Sequence, residues 1–265
     1  MKKINWITLT AFAAFHVAAI IAVVKFASWE NLKLAAIVWA VSLCPGIGIG
    51  WHRLLTHRGF KTPKLVEYLL TLCGYLALQG GAIWWVAWHR IHHRYTELRG
   101  LDPHTPRDGT WWAHMNWLIL QRVELANKET LSRWTPDLCR DKFQVFLNRF
   151  AWLPLTGLGF AVWATLGFVP MMWAVFVPVT IAWHSTWLVN SATHLWGSRA
   201  FETKDDSRNN WWVALLTFGE GWHNNHHAHP VSARHGIRWY QFDPNWYVIV
   251  IMSLFGLAWN VKSED

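Results

Sequence analysis

The sequence predicts an all-α integral membrane protein: four transmembrane helices in two hairpins, with a cytoplasmic helical cap that holds a di-metal histidine site. Three observations predict it. Of 265 residues, 53% are hydrophobic and 16% aromatic, which is rich for a soluble chain of this length. Apolar runs long enough to cross a bilayer recur along the chain. Nine of the 15 histidines fall in four short groups beside those runs.

Taken in order, residues 4–26 form an apolar run longer than the core of a cleaved signal peptide, and are expected to be a retained span. Residues 34–50 form the second run, and the short "ASWENLK" between them makes a hairpin. Residues 65–86 are apolar but interrupted by Glu67, Gln79, Gly80 and Gly81. Residues 151–168 and 170–189 are expected to form a second hairpin, with its turn at "GFVP". Residues 246–259 are too short to cross and are expected to lie in the interface. The whole chain, 1–265, reads as one domain.

Charge orients this arrangement. With both hairpin turns outside, only Lys25 and Lys33 of the 24 Lys and Arg residues fall near that face. Such a bias places the loops, both termini and the site on the cytoplasmic side, as in a bacterial inner membrane. The net charge of +8 needs no nucleic acid, because anionic lipid already favours a basic surface. The 23 tryptophans fit interfacial belts, and the three cysteines have no metal-type spacing.

The four groups are "HRLLTH" with His52 and His57, "HRIHH" with His89, His92 and His93, "NSATH" ending in His194, and "HNNHH" with His223, His226 and His227. Positions i, i+3 and i+4 of a helix share a face, so each three-histidine box can aim its rings at one point. His52 and His57 are five apart, about 140° around an ideal helix, so their rings are expected to diverge. Nine imidazoles exceed one coordination sphere, and two metals sharing them is the economical reading. The bland alternative is a set of surface histidines near lipid head groups. His16, His104, His114, His184, His229 and His235 are scattered and read as packing, interface or solvent residues. A shared site also requires residues 65–86 to return to the face they left, as an interfacial helix, since a crossing would hold the boxes about 30 Å apart.

The motifs "HRLLTHRGF", "HRIHHRYTELRGLDPHTPRDG", "WLVNSATHLWG" and "GEGWHNNHHAHP" resemble the histidine boxes of membrane fatty acyl desaturases, in the delta-9 acyl-CoA and acyl-lipid branch. The resemblance runs from about Gly50 to Asp243. It implies two iron ions (Fe2+) held by the nine histidines, with Asn190 approaching one of them through water. It implies O2 as co-substrate and a cis double bond introduced into a saturated acyl chain. Gln79, Trp85, Thr186 and Trp187 match residues that line the bend of the acyl tunnel, and Gly46 and Ile47 would lie near its far end. Animal-type acyl-CoA enzymes carry an acidic residue before HRxHH, where this chain has Ala87 and Trp88, so lipid, CoA and carrier protein stay open as acyl carriers. The sequence carries no haem-type "HPGG" and no cluster-binding cysteine set, so electrons are expected from a separate ferredoxin or cytochrome b5-type protein. A di-iron fatty acid or alkane hydroxylase would use similar ligands. A histidine-rich metal transporter would instead place them near mid-bilayer.

Overall fold

The computed structural model describes residues 2–122 and 127–264. A short strand β1 (Lys2–Ile4) pairs antiparallel with β2 (Leu120–Arg122) and ties the start of the chain to its middle. Between them lie α1 (Trp6–Phe26), α2 (Trp29–Thr56), α3 (Lys64–Tyr75), α4 (Ala82–Tyr95) and the single turn α5 (Trp117–Ile119). After β2 come α6 (Lys128–Trp134), α7 (Pro136–Cys139), α8 (Lys142–Arg149), α9 (Leu153–Leu166), α10 (Phe168–Leu195), α11 (Trp211–Leu216), α12 (His223–Ala228) and α13 (Pro244–Leu254).

Local chemistry starts and stops these helices. Asn5 caps α1 by accepting from the Thr8 N–H at 3.1 Å, and Ser28 caps α2 by accepting from Asn31 at 3.2 Å. Gly167, at φ 97°, supplies the left-handed turn between α9 and α10 where "GFVP" predicts it. Three helices are long and apolar enough to cross a bilayer: α1, α2 and α10. α8 and α9 are long and apolar enough only when taken together, and they meet at a bend of 67°. α10 packs along α1, α2 and α9 and forms the centre of the bundle.

Several expected boundaries move. The second apolar run does not stop before its histidine pair, because α2 continues unbroken for 28 residues. From Ser42 to Thr56 it is a π-helix. The interfacial helix expected over 65–86 is two helices, since Leu78 (φ 47°) and Gly80 (φ 85°) reverse the chain between α3 and α4. The last long helix runs to Leu195 rather than 189, so it carries Asn190 and His194 within it. The interfacial segment placed at 246–259 starts earlier and ends at Leu254.

The glycines of "CPGIGIG" serve close packing. A Cβ on Gly46 would lie 2.5 Å from the Gly74 backbone nitrogen, and one on Gly50 would lie 2.9 Å from the Leu70 carbonyl. Both let α3 press onto α2. Gly46 therefore faces a neighbouring helix, not open space for a chain terminus.

Candidate metal centre

Eight of the nine histidines stand on α2, α4, α10 and α12, and His57 directly follows α2 as its C-cap. They form two adjacent groups, His52, His57, His89, His93 and His226 in one and His92, His194, His223 and His227 in the other, each with ligand atoms within 4.8 Å of one another. The boxes do not aim as units. His89 and His93 serve one group while His92 turns to the other, and His226 separates from His223 and His227 in the same way. Residues i and i+4 differ by only about 40° around a helix, whereas adjacent residues differ by about 100°. Consecutive histidines thus stand between two centres.

The expected divergence of His52 and His57 fails for a related reason. In a π-helix the bonds run i to i+5, here from the His57 N–H to the His52 carbonyl at 3.1 Å. Residues five apart then lie on one side, and the two rings are 4.8 Å apart, edge to face.

For four of the rings the protonation pattern follows from the partner of Nδ1. His52 donates to Glu220, His92 to Asp102 at 3.0 Å, His194 to Glu97 at 2.8 Å and His227 to Asp205 at 2.8 Å. A neutral imidazole that donates from Nδ1 has a bare lone pair on Nε2. Nε2 atoms converge: His226 Nε2 is 3.1 Å from His52 Nε2 and 3.0 Å from His93 Nε2, and His223 Nε2 is 3.1 Å from His194 Nε2, while the Nδ1 atoms of His223 and His226 are buried with no partner among the described residues. The buried Nε2 atoms of His57, His92 and His227 have no hydrogen-bond partner among the described residues. Lone pairs pointing at one another repel unless a cation lies between them. Imidazole nitrogens bind such an ion at about 2.0–2.1 Å, which sets neighbouring ligands of a six-coordinate ion about 3 Å apart. The donor set fits two transition-metal ions, and all-imidazole chemistry suits iron, zinc, copper or nickel.

Burial keeps the rings in the ligand form. It pushes His89, His93, His223 and His226 well below the usual histidine range, and neighbouring imidazoles push further in the same direction. Burial takes His227 down to about 4 despite Asp205.

Sequence reasoning missed the supports. Burial raises the Glu220 carboxyl, but Arg53, His52 and His235 outweigh it and hold it ionised. Arg53, fully enclosed, binds Glu220 and Asp243 at 2.9 Å each and meets His235 at 3.2 Å. His235 and His104, read as scattered, are buried against these supports: His235 beside Glu220, and His104 with its ring 4.4 Å from that of His92. Glu97, Asp102 and Glu220 all lie inside the histidine motifs, so their acidity was the available signal. Asp205 lies outside those motifs.

Beside both groups is a cavity lined by Leu43, Ile47, Trp85 and Val189, with His52, His89, His223, Thr186, Asn190 and Glu220 also on its wall. Gln79 donates to Thr186 Oγ1 at 2.8 Å and accepts from Trp85 Nε1 at 3.1 Å, making a bracket between the α3–α4 connection and α10. Trp187 packs elsewhere, against Phe12 and His114.

Comparison with known proteins extends this picture. A family model described as "Fatty acid desaturase" matches residues 27–250. The "sn-2 palmitoyl-lipid 9-desaturase" of Nostoc sp. is 41% identical over 99% of this chain and 92% of its own length. An "sn-1 stearoyl-lipid 9-desaturase" of Anabaena variabilis is 42% identical over 99% of this chain and 96% of its own. The protein of that name from Synechocystis sp. is 42% identical over 97% and 80%.

Proposed function

The chain belongs to the fatty acid desaturase family, and on that premise we propose that it introduces a cis double bond at the delta-9 position of an acyl chain carried on membrane lipid. The observation that carries this reading is the pair of adjacent imidazole groups, five and four, opening on one apolar cavity. An unactivated methylene has no acidic proton and no electrophilic centre, so acid–base or nucleophilic side chains cannot attack it. Two iron ions, when bound, supply the redox chemistry that lets O2 take hydrogen from it.

The chain's own residues do the rest. His52, His57, His89, His93 and His226 would hold one ion, and His92, His194, His223 and His227 the other, with Asn190 beside the second. Glu97, Asp102, Asp205 and Glu220 keep the Nδ1 protons in place and the Nε2 atoms free. Leu43, Ile47 and Val189 exclude water from the acyl chain. The Gln79–Trp85–Thr186 bracket fixes which methylenes reach the imidazoles, and Trp187, packed against Phe12 and His114, lies outside it. The acyl-lipid names of the relatives support lipid as carrier, and Ala87 and Trp88 in place of an acidic residue agree.

The membrane arrangement we infer has four crossings, by α1, α2, the bent α8–α9 pair and α10. About 20 helical residues cross a 30 Å hydrocarbon layer. Counted from the turn at residues 27–28, α2 leaves that layer near Ile49, so His52 and His57 stand clear of it. Counted from Gly167, α10 leaves it near Trp187, and His194 emerges on the same face. That face carries most of the Lys and Arg, which supports a cytoplasmic site in a bacterial inner membrane. A ferredoxin or cytochrome b5-type protein docking there would deliver the electrons.

The deciding experiment is expression in a cell of defined fatty acid composition, with double bonds located by mass spectrometry. A new delta-9 bond in membrane lipid is expected. An alcohol in place of an alkene would overturn the reading in favour of a hydroxylase.

A further inference from the structure

Three histidines outside the two groups, far apart in sequence, form one continuous hydrogen-bonded array. His16 comes from the middle of α1, His184 from the middle of α10, and His114 from a short π-turn at Trp112–Asn116. His16 Nε2 lies 2.9 Å from His184 Nε2, and His184 Nδ1 lies 3.0 Å from His114 Nε2. At one end His114 Nδ1 is 3.1 Å from Ser191 Oγ, and at the other His16 Nδ1 is 2.6 Å from the Phe12 carbonyl. Ser191 also donates to the Trp187 carbonyl at 2.8 Å. Ionisable side chains at membrane depth are costly, and they usually mark a function. Among the described residues, none of these rings contacts any of the nine clustered imidazoles.

Counting protons shows what the array can do. Four links join the Phe12 carbonyl, the three rings and Ser191, and each link needs one hydrogen. Three neutral imidazoles carry three. The fourth can come from the Ser191 hydroxyl, rotated from the Trp187 carbonyl to His114 Nδ1. It can equally be one added proton on the rings, with Ser191 keeping its bond to Trp187. All six ring nitrogens are satisfied in both states, so one proton enters or leaves at the expense of one hydroxyl rotation. Chains of hydrogen bonds polarise one another, and the added proton is spread over three rings.

Burial, and the His184 imidazole beside it, hold His114 down at about 4, so the added proton is weakly held and readily given up. From α1 the array meets the Phe12 carbonyl; from α10 it meets Ser191, the Trp187 carbonyl and the indoles of Trp183 and Trp187; from the π-turn it meets the Trp111 ring. No Asp, Glu, Lys or Arg side chain is bonded to the three rings among the described residues.

We propose that His16, His184 and His114 form a store for a single shared proton, whose Ser191 end adjoins Asn190 on the cavity wall. Its use rests on the desaturase reading. Removal of two hydrogens from an acyl chain by one O2 also takes two electrons from the external donor protein and two protons, and yields two waters. The array supplies one of those protons and refills from solvent.

The test counts protons on the full-length protein in detergent. Net proton uptake is titrated from about pH 8 to about pH 3, a range that extends below the ordinary histidine window to include the lowered His114. Wild type is compared with the variant carrying His16→Gln, His114→Gln and His184→Gln together. A loss of one proton per chain is expected. A loss of three, as for independent histidines, or of none, overturns the store. If the triple variant does not fold, His184→Gln alone cuts the array, and His16 and His114 should then titrate as two separate groups instead of sharing one proton; an uptake curve equal to wild type overturns the store. In turnover, His184→Gln should lower kcat by roughly tenfold, with unchanged KM and a larger solvent deuterium isotope effect. An isotope effect equal to wild type would remove the array from catalysis. The titration needs no turnover, so absence of an alkene product would sink the desaturase reading and leave the proton count standing.

Discussion

The Nδ1–H of His194 donates to Glu97 Oε1 at 2.8 Å, although the two residues are 97 positions apart. Thr105 donates to the other Glu97 oxygen at 2.6 Å, which fixes the carboxylate in turn. Glu97→Ala should therefore free the His194 ring and lower metal affinity at the second group by about 10–100-fold, the usual effect of losing such a support. Glu97→Gln keeps an acceptor and should lose less. Competition against a graded metal chelator measures both, and equal affinity in Glu97→Ala and wild type would refute the role.

Consecutive histidines should report on different ions. His93→Ala removes a ligand from the group of five, and His92→Ala removes one from the group of four. Each should reduce bound metal from two ions per chain toward one, and the pair together should lose both. Elemental analysis of purified variants reads this directly. Loss of both ions from each single variant would mean that the groups bind as one inseparable unit.

Much of this site was legible in the sequence, because imidazole spacing beside apolar runs is a chemical signal that survives without coordinates. What was not legible came from backbone geometry and distant partners. An ideal α-helix separates His52 from His57, and only the π-type bonds of α2 bring them together. Nothing near Asp205 in sequence points to His227, since the pairing depends on how the loop after α10 folds back onto α12. Leu78 carries no turn signature, yet its left-handed backbone divides the apolar stretch before α4. His16, His114 and His184 looked unrelated because their array exists only where three elements meet.

Gly46 and Ile47 should behave oppositely. A Cβ on Gly46 meets the backbone of α3 at 2.5–2.7 Å, which no side-chain motion can relieve. Gly46→Val should cost about 1–3 kcal/mol or more through overpacking and leave the product profile of the surviving protein unchanged. Ile47 lines the cavity instead. Ile47→Phe should shift the preferred acyl chain toward shorter lengths with little loss of thermal stability. Gas chromatography and thermal unfolding of the two variants separate the effects, and a shortened product profile from Gly46→Val would reverse the assignment.

Acidification should destabilise the metal-free protein in a definite window. Burial holds His227 and His235 down at about 4 and His104 at about 3, against an ordinary value near 6.5. Between these limits the unfolded chain binds protons that the folded chain refuses. Stability then rises with pH and falls as pH drops from about 6.5 toward 4. Glu97, Glu220, Asp102 and Asp205 add to the loss further down, since their folded-state acidity is also increased. Of the three histidines, bound metal takes the neutral nitrogen of His227, together with those of the other eight clustered rings, so its release should track the same fall. Thermal unfolding of metal-free and iron-loaded protein at a series of pH values measures both curves. The metal-free Tm should drop steadily below about pH 6.5, and the gap between the curves should close as the ions leave. A metal-free Tm that stays level down to pH 4 would show that the imidazoles are not held neutral by burial, and would remove the electrostatic basis for reading them as preformed ligands.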